Sequence, residues 1–536
     1  MKKWYSLIDG VQFPLKMLFI SILIMGIGDF FINPNITVYT SVPSKEMYVF
    51  FQGLRYFGSF LIMNFPLFLL VKLLSKRYVD SVPSYVGVVA YILFHVVTMF
   101  LASTDLPSYC YRAIMGLQVD TTMTDLANTG VRYPLFTGIL ACIVIVTITR
   151  ICYNNSRKRF MYGILGFVDN DSWSLITTMI FTSIVAVITT LSWPFFISGL
   201  NNLFVFIATD IYNPVNMFLY GITERVLTLF NLQDLIHQPF WFGELGGTWI
   251  ESFGETFGKK FTGDVGVVTG LLAMKESTMG FGRFITPYYV MNLFAVPGML
   301  LSFLTMFTDR LERRKYTLFF IIAIIASIMF GTLLPLELLL FVIAPSLYLM
   351  HVVAMSSLYA ILTALSATIG YSFAGPIEQA MPGTFVSLLP FLGNPDNQNA
   401  LTIVLIVGVI CFVLYFLMTR AYYTFLVGDF LSQSHNAKRE TTFIESIGGI
   451  ANLKTINSSL NKVVVQLYNP QLIDYELLEE LKVHKIAETR AGIMMEFGGV
   501  SRMLCIKTRK ALAKHNAGIV RKPITEENEK ENSSKQ

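Results

Sequence analysis

The sequence predicts a polytopic α-helical membrane protein of about ten spans that ends in a small α+β cytoplasmic domain. Three observations predict this fold class. Of the 536 residues, 54% are hydrophobic and only 14% are charged, whereas soluble domains carry roughly a quarter charged residues. Apolar runs of the length that crosses a bilayer recur between residues 17 and 418. After Arg420 charged residues return, and no later segment is apolar enough to span a membrane.

Nine segments are clear candidates for spanning helices because each is a mostly apolar run. They are 17–32, 60–74, 86–101, 135–151, 175–197, 289–307, 318–329, 339–365 and 401–418. A tenth candidate, 203–230, is apolar but contains Asp210, Pro214, Glu224 and Arg225. The first span ends in Asp29 without a small-residue cleavage site, so it is not predicted to be a cleaved signal peptide.

Basic residues predict the orientation. Lys and Arg cluster before the first span and in segments 72–77, 150–159 and 310–315, which by the positive-inside rule face the cytoplasm. The N-terminus and the C-terminal domain are therefore expected on the cytoplasmic side, and segments 33–48 and 103–131 outside. The net charge of +5 follows from this topology and gives no reason to invoke nucleic acid. The five cysteines are scattered and predict no metal site, disulfide or other cofactor site.

The region after the last span has an α+β pattern of its own. We predict a helix over 441–450 that ends at Gly448-Gly449, a strand over 462–468 and an acidic helix over 475–483. Segments 493–497 and 502–506 flank Gly498-Gly499 and predict a hairpin, followed by a helix over 508–515. The predicted domains are a membrane domain (1–428), a linker (429–440), an α+β domain (441–516) and a disordered tail (517–536).

Glu224 and Arg225 are the first candidate for chemistry. They lie together in an apolar context, where charged side chains are paired or face a water-filled cavity. One interpretation is a substrate site, because carboxylates bind polyhydroxylated ligands through several accepted hydrogen bonds. The other is an internal ion pair that positions a helix, and the residues alone leave both open.

Two further segments share this context. One segment contains Gly280, Gly282 and Arg283 and precedes an apolar span. It is either irregular backbone that lines a cavity or, as we prefer, an ordinary loop before a helix. Glu337 is nearly alone in an apolar run that Pro335 and Pro345 interrupt. A broken helix with one acid is a candidate binding element, and the alternative is a proline kink with the acid at the interface.

These segments resemble one family when taken in order. They are ERVLTLFNLQD (224–234), STMGFGRF (277–284) and GTLLPLELLLFVIAPSLYLMH (331–351), and the opening span is PLKMLFISILIMGIGDFF (14–31). They are similar to the membrane permease domain (EIIC) of the glucose superfamily in the bacterial phosphoenolpyruvate-dependent sugar phosphotransferase system. ESIGGIANLKTINSSLNKVVVQL (445–467) and FGGVSRMLCIK (497–507) resemble the EIIB phosphocarrier domain of that superfamily.

The resemblance implies a homodimeric, multi-pass permease in the lipid of the bacterial plasma membrane. EIIC would bind a hexose or glucoside and carry it inward, with EIIA and EIIB proteins as partners. EIIB, phosphorylated on a cysteine, would transfer the phosphoryl group to the sugar. This chemistry needs a thiolate as carrier and a cradle of backbone N–H groups.

The implied substrate-binding residues divide into matches and departures. The matches are Glu224, Arg225, Thr278, Gly280, Arg283 and Glu337. Gln233 and Asp234 occupy the positions of the family's His-His pair, and Leu334 the position of its sugar-contacting Glu. Ser459 stands at the phosphocysteine position, and a Ser hydroxyl has no accessible anion at neutral pH.

Two functions follow from these departures. The first is a sugar permease that receives its phosphoryl group from elsewhere, such as another protein's EIIB domain. The second is a facilitator or membrane sugar sensor that does not phosphorylate, which Leu334 favours because a hydrogen-bonding group is lost from the site. Cys505 is predicted to be a core residue in a late strand, with a phosphoryl carrier as the less favoured alternative. His237 either reaches the site from a neighbouring helical turn or, as we prefer, is a lone histidine at the membrane interface.

Overall fold

A computed structural model describes most of the chain. The described residues are 2–38, 40, 43–78, 80–102, 105–120, 131–157, 169–251, 258–307, 310–423, 433–458, 462–481, 483, 485–489, 492–497 and 501–520. They form two compact units, one of residues 3–297 and 325–411 and the other of residues 298–324 and 412 onward. The predicted linker (429–440) and tail (517–536) stay predictions. One helix begins at Gln433, inside the predicted linker, and another ends at Val520, inside the predicted tail.

The part of the chain up to residue 421 is mostly helical. Its helices are α1 (Lys2–Ile32), α2 (Pro34–Thr37), α3 (Lys45–Met63), α4 (Phe65–Arg77), α5 (Val82–Leu101), α6 (Gly138–Ser156), α7 (Asn170–Ala208), α8 (Pro214–Leu229), α9 (Asp234–His237), α10 (Asp264–Met274), α11 (Thr286–Val290), α12 (Val296–Thr305), α13 (Arg310–Phe330), α14 (Leu333–Ile343), α15 (Pro345–Ala364), α16 (Phe385–Leu392) and α17 (Gln398–Ala421). Two short hairpins, β1 (Val119–Asp120) with β2 (Val131–Arg132) and β3 (Thr248–Ile250) with β4 (Lys260–Thr262), interrupt them.

Among the described residues, seven helices are long and apolar enough to cross a membrane, or up to eight if the bent pair α3–α4 counts as one span. The predicted membrane class is confirmed, but its count of about ten spans is higher than this. Segment 318–329 lies in a shorter apolar helix, as does the start of segment 339–365. Segment 203–230 divides into the end of α7, a turn and α8.

Two predicted continuous spans are broken. Segment 60–74 crosses from α3 to α4, which meet at 54°. At the joint, the side-chain amide of Asn64 donates to the Phe60 carbonyl at 2.8 Å and its oxygen accepts from the Met115 N–H at 2.8 Å. Segment 339–365 breaks at Ala344, whose non-helical φ of −141° precedes Pro345, because proline disfavours the helical conformation in the residue before it.

A glycine allows α8 to pack closely against α15. A Cβ at Gly221 would lie 2.7 Å from the Cα of Ser356, closer than packed atoms allow. Glu224 lies one turn further along α8 and Tyr359 one turn further along α15. The close approach therefore brings these two side chains within hydrogen-bonding distance, at 2.7 Å.

The region after residue 432 is a helix-and-sheet fold. Its helices are α18 (Gln433–Ser446), α19 (Tyr475–Glu480) and α20 (Ser501–Val520). Its antiparallel strands are β5 (Leu453–Ser458), β6 (Lys462–Leu467), β7 (Ile486–Thr489) and β8 (Gly492–Glu496), in the order β5-β6-β8-β7. Phe443, Val463, Val465, Leu478 and Met495 are among the side chains of its buried core.

The predicted hairpin at 493–506 is wrong. Strand β8 pairs with β6 and β7, and residues 502–506 belong to helix α20. The buried positions Ser501, Leu504, Cys505 and Thr508 recur at helical rather than alternating spacing. Cys505 is thus buried on a helix rather than in a strand. Gly498-Gly499 and Ser459 lie outside the described residues.

Candidate functional site

A cavity of about 150 Å³ lies within the first unit, among α1, α8, α9, α11 and α14. Its polar wall holds the side chains of Arg112, Arg225, Thr228, Asn231, Gln233, Asp234, His237, Tyr288, Asn292, Glu337 and Glu378. Its apolar wall includes Ile22, Met25, Phe136, Trp241 and Leu334. Four residues predicted from the sequence, namely Arg225, Gln233, Asp234 and Glu337, therefore lie around one space.

Arg225 is the central cation of this wall. Its Nη1 bonds Glu337 of α14, and its Nη2 lies 2.8 Å from Glu224 Oε2 and donates to the Tyr288 hydroxyl at 2.8 Å. Arg225 and both carboxylates are buried. A buried guanidinium between two carboxylates meets the requirement that charges inside a membrane protein be paired. The pairing also fixes α8 against α11 and α14.

Glu224 lies immediately behind the wall and accepts from three further groups. His237 Nε2 lies 2.7 Å from its Oε1, the Tyr288 hydroxyl donates to Oε1 at 2.6 Å, and the Tyr359 hydroxyl donates to Oε2 at 2.7 Å. Both interpretations of the Glu224–Arg225 pair thus have a basis in the geometry. The pair is an internal ion pair, and its Arg225 member faces the cavity.

The chain reversal after α8 brings His237 back to Glu224. Asn231 adopts the left-handed conformation (φ 56°) after the last turn of α8, a conformation that asparagine tolerates better than most residues. The short helix α9 follows, and then a π-helical turn, Gln238–Phe242, of the kind found at functional sites. This turn stacks Trp241 on the His237 ring with 3.9 Å between centroids. His237 is buried, so its interpretation as a lone interfacial histidine is wrong.

Arg112 joins a second set of carboxylates. Its Nη1 bonds Asp234 of α9, its Nε lies 3.1 Å from Glu378 Oε1, and its guanidinium lies 4.5 Å from the Phe136 ring. Residues 103–131 were predicted to form an outer loop, and no sequence pattern indicated that one of its cations reaches a buried acid. The charge of Asp234 is compensated by this arginine.

Several buried acceptors of the wall have no partner in the part of the chain that the structure describes. Glu337 Oε2, Gln233 Oε1 and Asn292 Oδ1 make no hydrogen bond to any described residue. Such groups are costly to bury unless a ligand or water donates to them. Sugar hydroxyls are suitable donors. Asn292 was missed by the sequence analysis, and it lies in a π-helical turn, Met291–Ala295.

The Gly-rich segment lies apart from the cavity wall. Asp264 accepts from the backbone N–H groups of Gly282 at 2.6 Å and Phe284 at 3.3 Å. The Arg283 guanidinium lies 4.1 Å from the Tyr212 ring centroid. The Thr278 hydroxyl is buried without a partner among the described residues. Gly280 has a φ of 89° and open space beside it, as expected of a loop that leads into α11.

Sequence reasoning missed the aromatic and histidine partners of the buried acids. Tyr288 and Tyr359 hold Glu224, and His351 Nε2 lies 2.9 Å from Glu337 Oε1. His351 is 14 residues from Glu337, about 21 Å along a continuous helix. The contact therefore depends on the break at Ala344, and helical periodicity does not predict it. Within the described ranges, no group of three or more His, Cys, Asp or Glu residues is placed to hold a metal ion.

Comparison with known protein families finds a match that covers most of the chain. Residues 8–356 match the family described as "Phosphotransferase system, EIIC". A curated relative, the PTS system glucoside-specific EIICBA component of Staphylococcus carnosus (strain TM300), is 26% identical over 380 residues. That match covers 68% of this chain and 51% of the relative, so the chain spans about half of the relative's length.

The chain is also similar to a solved structure. It is that of the transporter ChbC, the IIC component from the N,N'-diacetylchitobiose-specific phosphotransferase system. The match has 12% sequence identity and a TM-score of 0.33, and it covers 79% of this chain and 94% of that chain.

Proposed function

The chain belongs to the EIIC family of the phosphotransferase system, and we propose that its cavity binds a glucoside or hexose and carries it across the bacterial plasma membrane. The observation that carries this proposal is the cavity wall. Two guanidinium groups supply donors, and Glu337, Gln233 and Asn292 each present an acceptor without a partner among the described residues. A polyhydroxylated ligand satisfies both kinds of group. The glucoside specificity in the relative's name makes glucosides the first class to test.

Leu334 limits which sugar fits. It lies in the cavity wall, at a position where the family resemblance implies a sugar-contacting Glu. An apolar side chain there leaves a sugar hydroxyl without a partner, and it suits a less polar part of the ligand instead. A glucoside with an apolar aglycone supplies such a part. We therefore place aryl glucosides ahead of free hexoses.

The phosphoryl group comes from another protein in this proposal. Residues 441–516 are an EIIB-like domain by the order of their motifs, with Ser459 at the phosphocysteine position. Cys505, the cysteine of this domain, is fully buried, and its thiol faces the Ile456 carbonyl at 3.6 Å. A fully buried thiol that faces a backbone carbonyl is a packing group rather than an accessible nucleophile. A separate EIIB domain, charged by EIIA, would therefore supply the sugar's phosphate.

The test is reconstitution of the full chain in proteoliposomes. The general phosphotransferase proteins, EIIA and labelled phosphoenolpyruvate are supplied with and without a purified EIIB domain, and an aryl glucoside is offered outside. We expect labelled sugar phosphate inside only when EIIB is added. The Cys505→Ser variant is the control, and it is expected to behave as the wild type does.

Two results would contradict this scheme. Label that appears on this chain without added EIIB would show that the chain carries its own phosphoryl group. Sugar uptake that is equal with and without the phosphoryl donors would point to facilitated transport or sensing instead. The homodimer, the cytoplasmic position of both termini and the domain boundaries stay part of the proposal, to be measured by cross-linking and by protease access from each side.

A further inference from the structure

We propose that the cavity binds one proton together with its sugar, and that His237 holds this proton. The inference rests on the proposed function, because it concerns the same cavity. His237 lies in the cavity wall, and the groups around its ring decide its protonation state.

Among the described residues, the Nε2 atom of His237 faces only acceptors. Glu224 Oε1 lies at 2.7 Å and the Tyr288 oxygen at 3.3 Å. The Tyr288 proton is already donated to Glu224, and the Tyr288 oxygen accepts from Arg225 Nη2. Nothing there can donate to a bare ring nitrogen, so Nε2 carries a hydrogen.

The Nδ1 atom also faces a carboxylate. Asp234 Oδ1 lies 3.7 Å away, and the other Asp234 oxygen bonds Arg112. A neutral imidazole has one N–H and one bare nitrogen, so a neutral His237 would direct a lone pair at one of two acids. Both contacts become attractive only when the ring carries two hydrogens. Trp241, stacked on the ring face at 3.9 Å, favours a cation as well.

The charges of the whole wall favour the same state. Four carboxylates meet two guanidinium groups along one connected chain of contacts, in the order Glu337, Arg225, Glu224, His237, Asp234, Arg112 and Glu378. His351 adds a second imidazole at Glu337. Without protons on imidazole, the described part of this wall carries two uncompensated negative charges, which is costly in a membrane interior.

Sugar binding strengthens the hold on the proton. A neutral sugar displaces water that screens the wall, including water at Glu378, whose side chain is 23% exposed. The field of the excess carboxylates at His237 then rises, because a lower local dielectric strengthens charge interactions. Sugar affinity and proton affinity therefore rise together, and each ligand raises the affinity of the other by the same factor. The proton comes from bulk water.

The experiment measures aryl glucoside binding to the purified full chain in detergent from pH 6 to pH 10, with proton uptake followed by an indicator dye in weak buffer. In the wild type we expect constant affinity at low pH. At higher pH the affinity should fall by up to tenfold per pH unit, with uptake of up to one proton per sugar. The His237→Gln variant should bind with an affinity that does not depend on pH and without proton uptake.

His95→Gln is the matched control. His95 is also buried, but neither of its ring nitrogens has a hydrogen-bond partner among the described residues, so the control should keep the wild-type pH dependence. If His237→Gln does not fold, Asp234→Asn replaces it. This variant removes one of the two acids at the ring, so its affinity should begin to fall at lower pH.

Three results would overturn the inference. They are wild-type binding without pH dependence, proton release instead of uptake, and proton uptake that persists in His237→Gln. Each leaves the proposed function intact, because sugar still binds. Absence of aryl glucoside binding at every pH would contradict the proposed function itself, and the inference with it.

Discussion

Replacing Arg225 with Met removes the cation between two buried acids. Glu224 and Glu337 then remain in the interior without their shared partner. Breaking a buried ion pair in this way costs about 3–5 kcal/mol, because a desolvated charge is left uncompensated. Since two carboxylates lose the same guanidinium, we expect Arg225→Met to fall at the upper end of that range.

The assay is equilibrium unfolding of the purified protein in mixed SDS micelles. A second variant separates lost charge from lost packing. Adding Glu224→Gln and Glu337→Gln to Arg225→Met removes both uncompensated charges, so this triple variant should be more stable than Arg225→Met alone. A simple loss of packing would instead make the triple variant at least as unstable.

Arg157 offers a matched control. It too bridges two acids, Asp80 and Asp171, each at 2.7 Å, but its side chain is 42% exposed. Exposed ion pairs contribute about 0–1 kcal/mol, so Arg157→Met should change the free energy of unfolding by no more than about 1 kcal/mol. If Arg225→Met is no more destabilising than Arg157→Met, the claim that the Arg225 network is buried and energetically important is refuted.

Three further predictions concern the rest of the chain. A Cβ at Gly282 would lie 2.3 Å from a backbone carbon of a neighbouring segment, whereas a Cβ at Gly280 would lie in open space. Gly282→Ala should therefore lower the melting temperature, measured by thermal unfolding, more than Gly280→Ala does. Cys505 is buried, so maleimide should label it only after denaturation, and rapid labelling of the native protein would contradict its core position. A hydrogen bond from the Tyr153 hydroxyl, followed by one from the Val82 N–H and by the charge of Arg157, lowers the pKa of Asp80. The stabilisation from Asp80 is therefore present at neutral pH and lost on acidification below its ordinary range, and Asp80→Asn should remove that part of the pH dependence of the melting temperature.

The sequence predicted the charged residues of the site better than their partners. An isolated Glu337 in an apolar run, and the adjacent Glu224 and Arg225, are detectable because charge is rare and costly in a membrane. That Arg225 bridges these two acids was not predictable, because Glu337 is 112 residues away in the chain. The Arg112–Asp234 pair, which spans 122 residues, was hidden for the same reason.

Glycine pairs predicted where an element ends only when no other sequence pattern pointed to a different structure. Gly448-Gly449 ends α18 as predicted, since both glycines adopt positive φ. Gly498-Gly499 suggested a hairpin, but Leu504, Cys505 and Thr508 recur at the spacing of one buried helix face, and these residues are helical. The break between α3 and α4 has a local signal in Pro66, which lies at the start of α4 and does not fit a helix interior. The contact of Asn64 with the distant Met115 backbone at this joint is encoded by no local pattern.

Whether this cavity is the sugar site is tested most directly by aryl glucoside binding to the purified chain, measured by calorimetry for the wild type and for Glu337→Gln. Glu337 Oε2 is the charged one of three wall acceptors that have no partner among the described residues and that the sugar is proposed to use. A hydrogen bond to a charged group contributes about 1.5–3 kcal/mol, so the wild type should bind and the variant should bind at least tenfold more weakly. An exposed substitution, Asp171→Asn, should leave the affinity unchanged. A wild type that does not bind, or a Glu337→Gln variant with wild-type affinity, would contradict the assignment of this cavity as the sugar site.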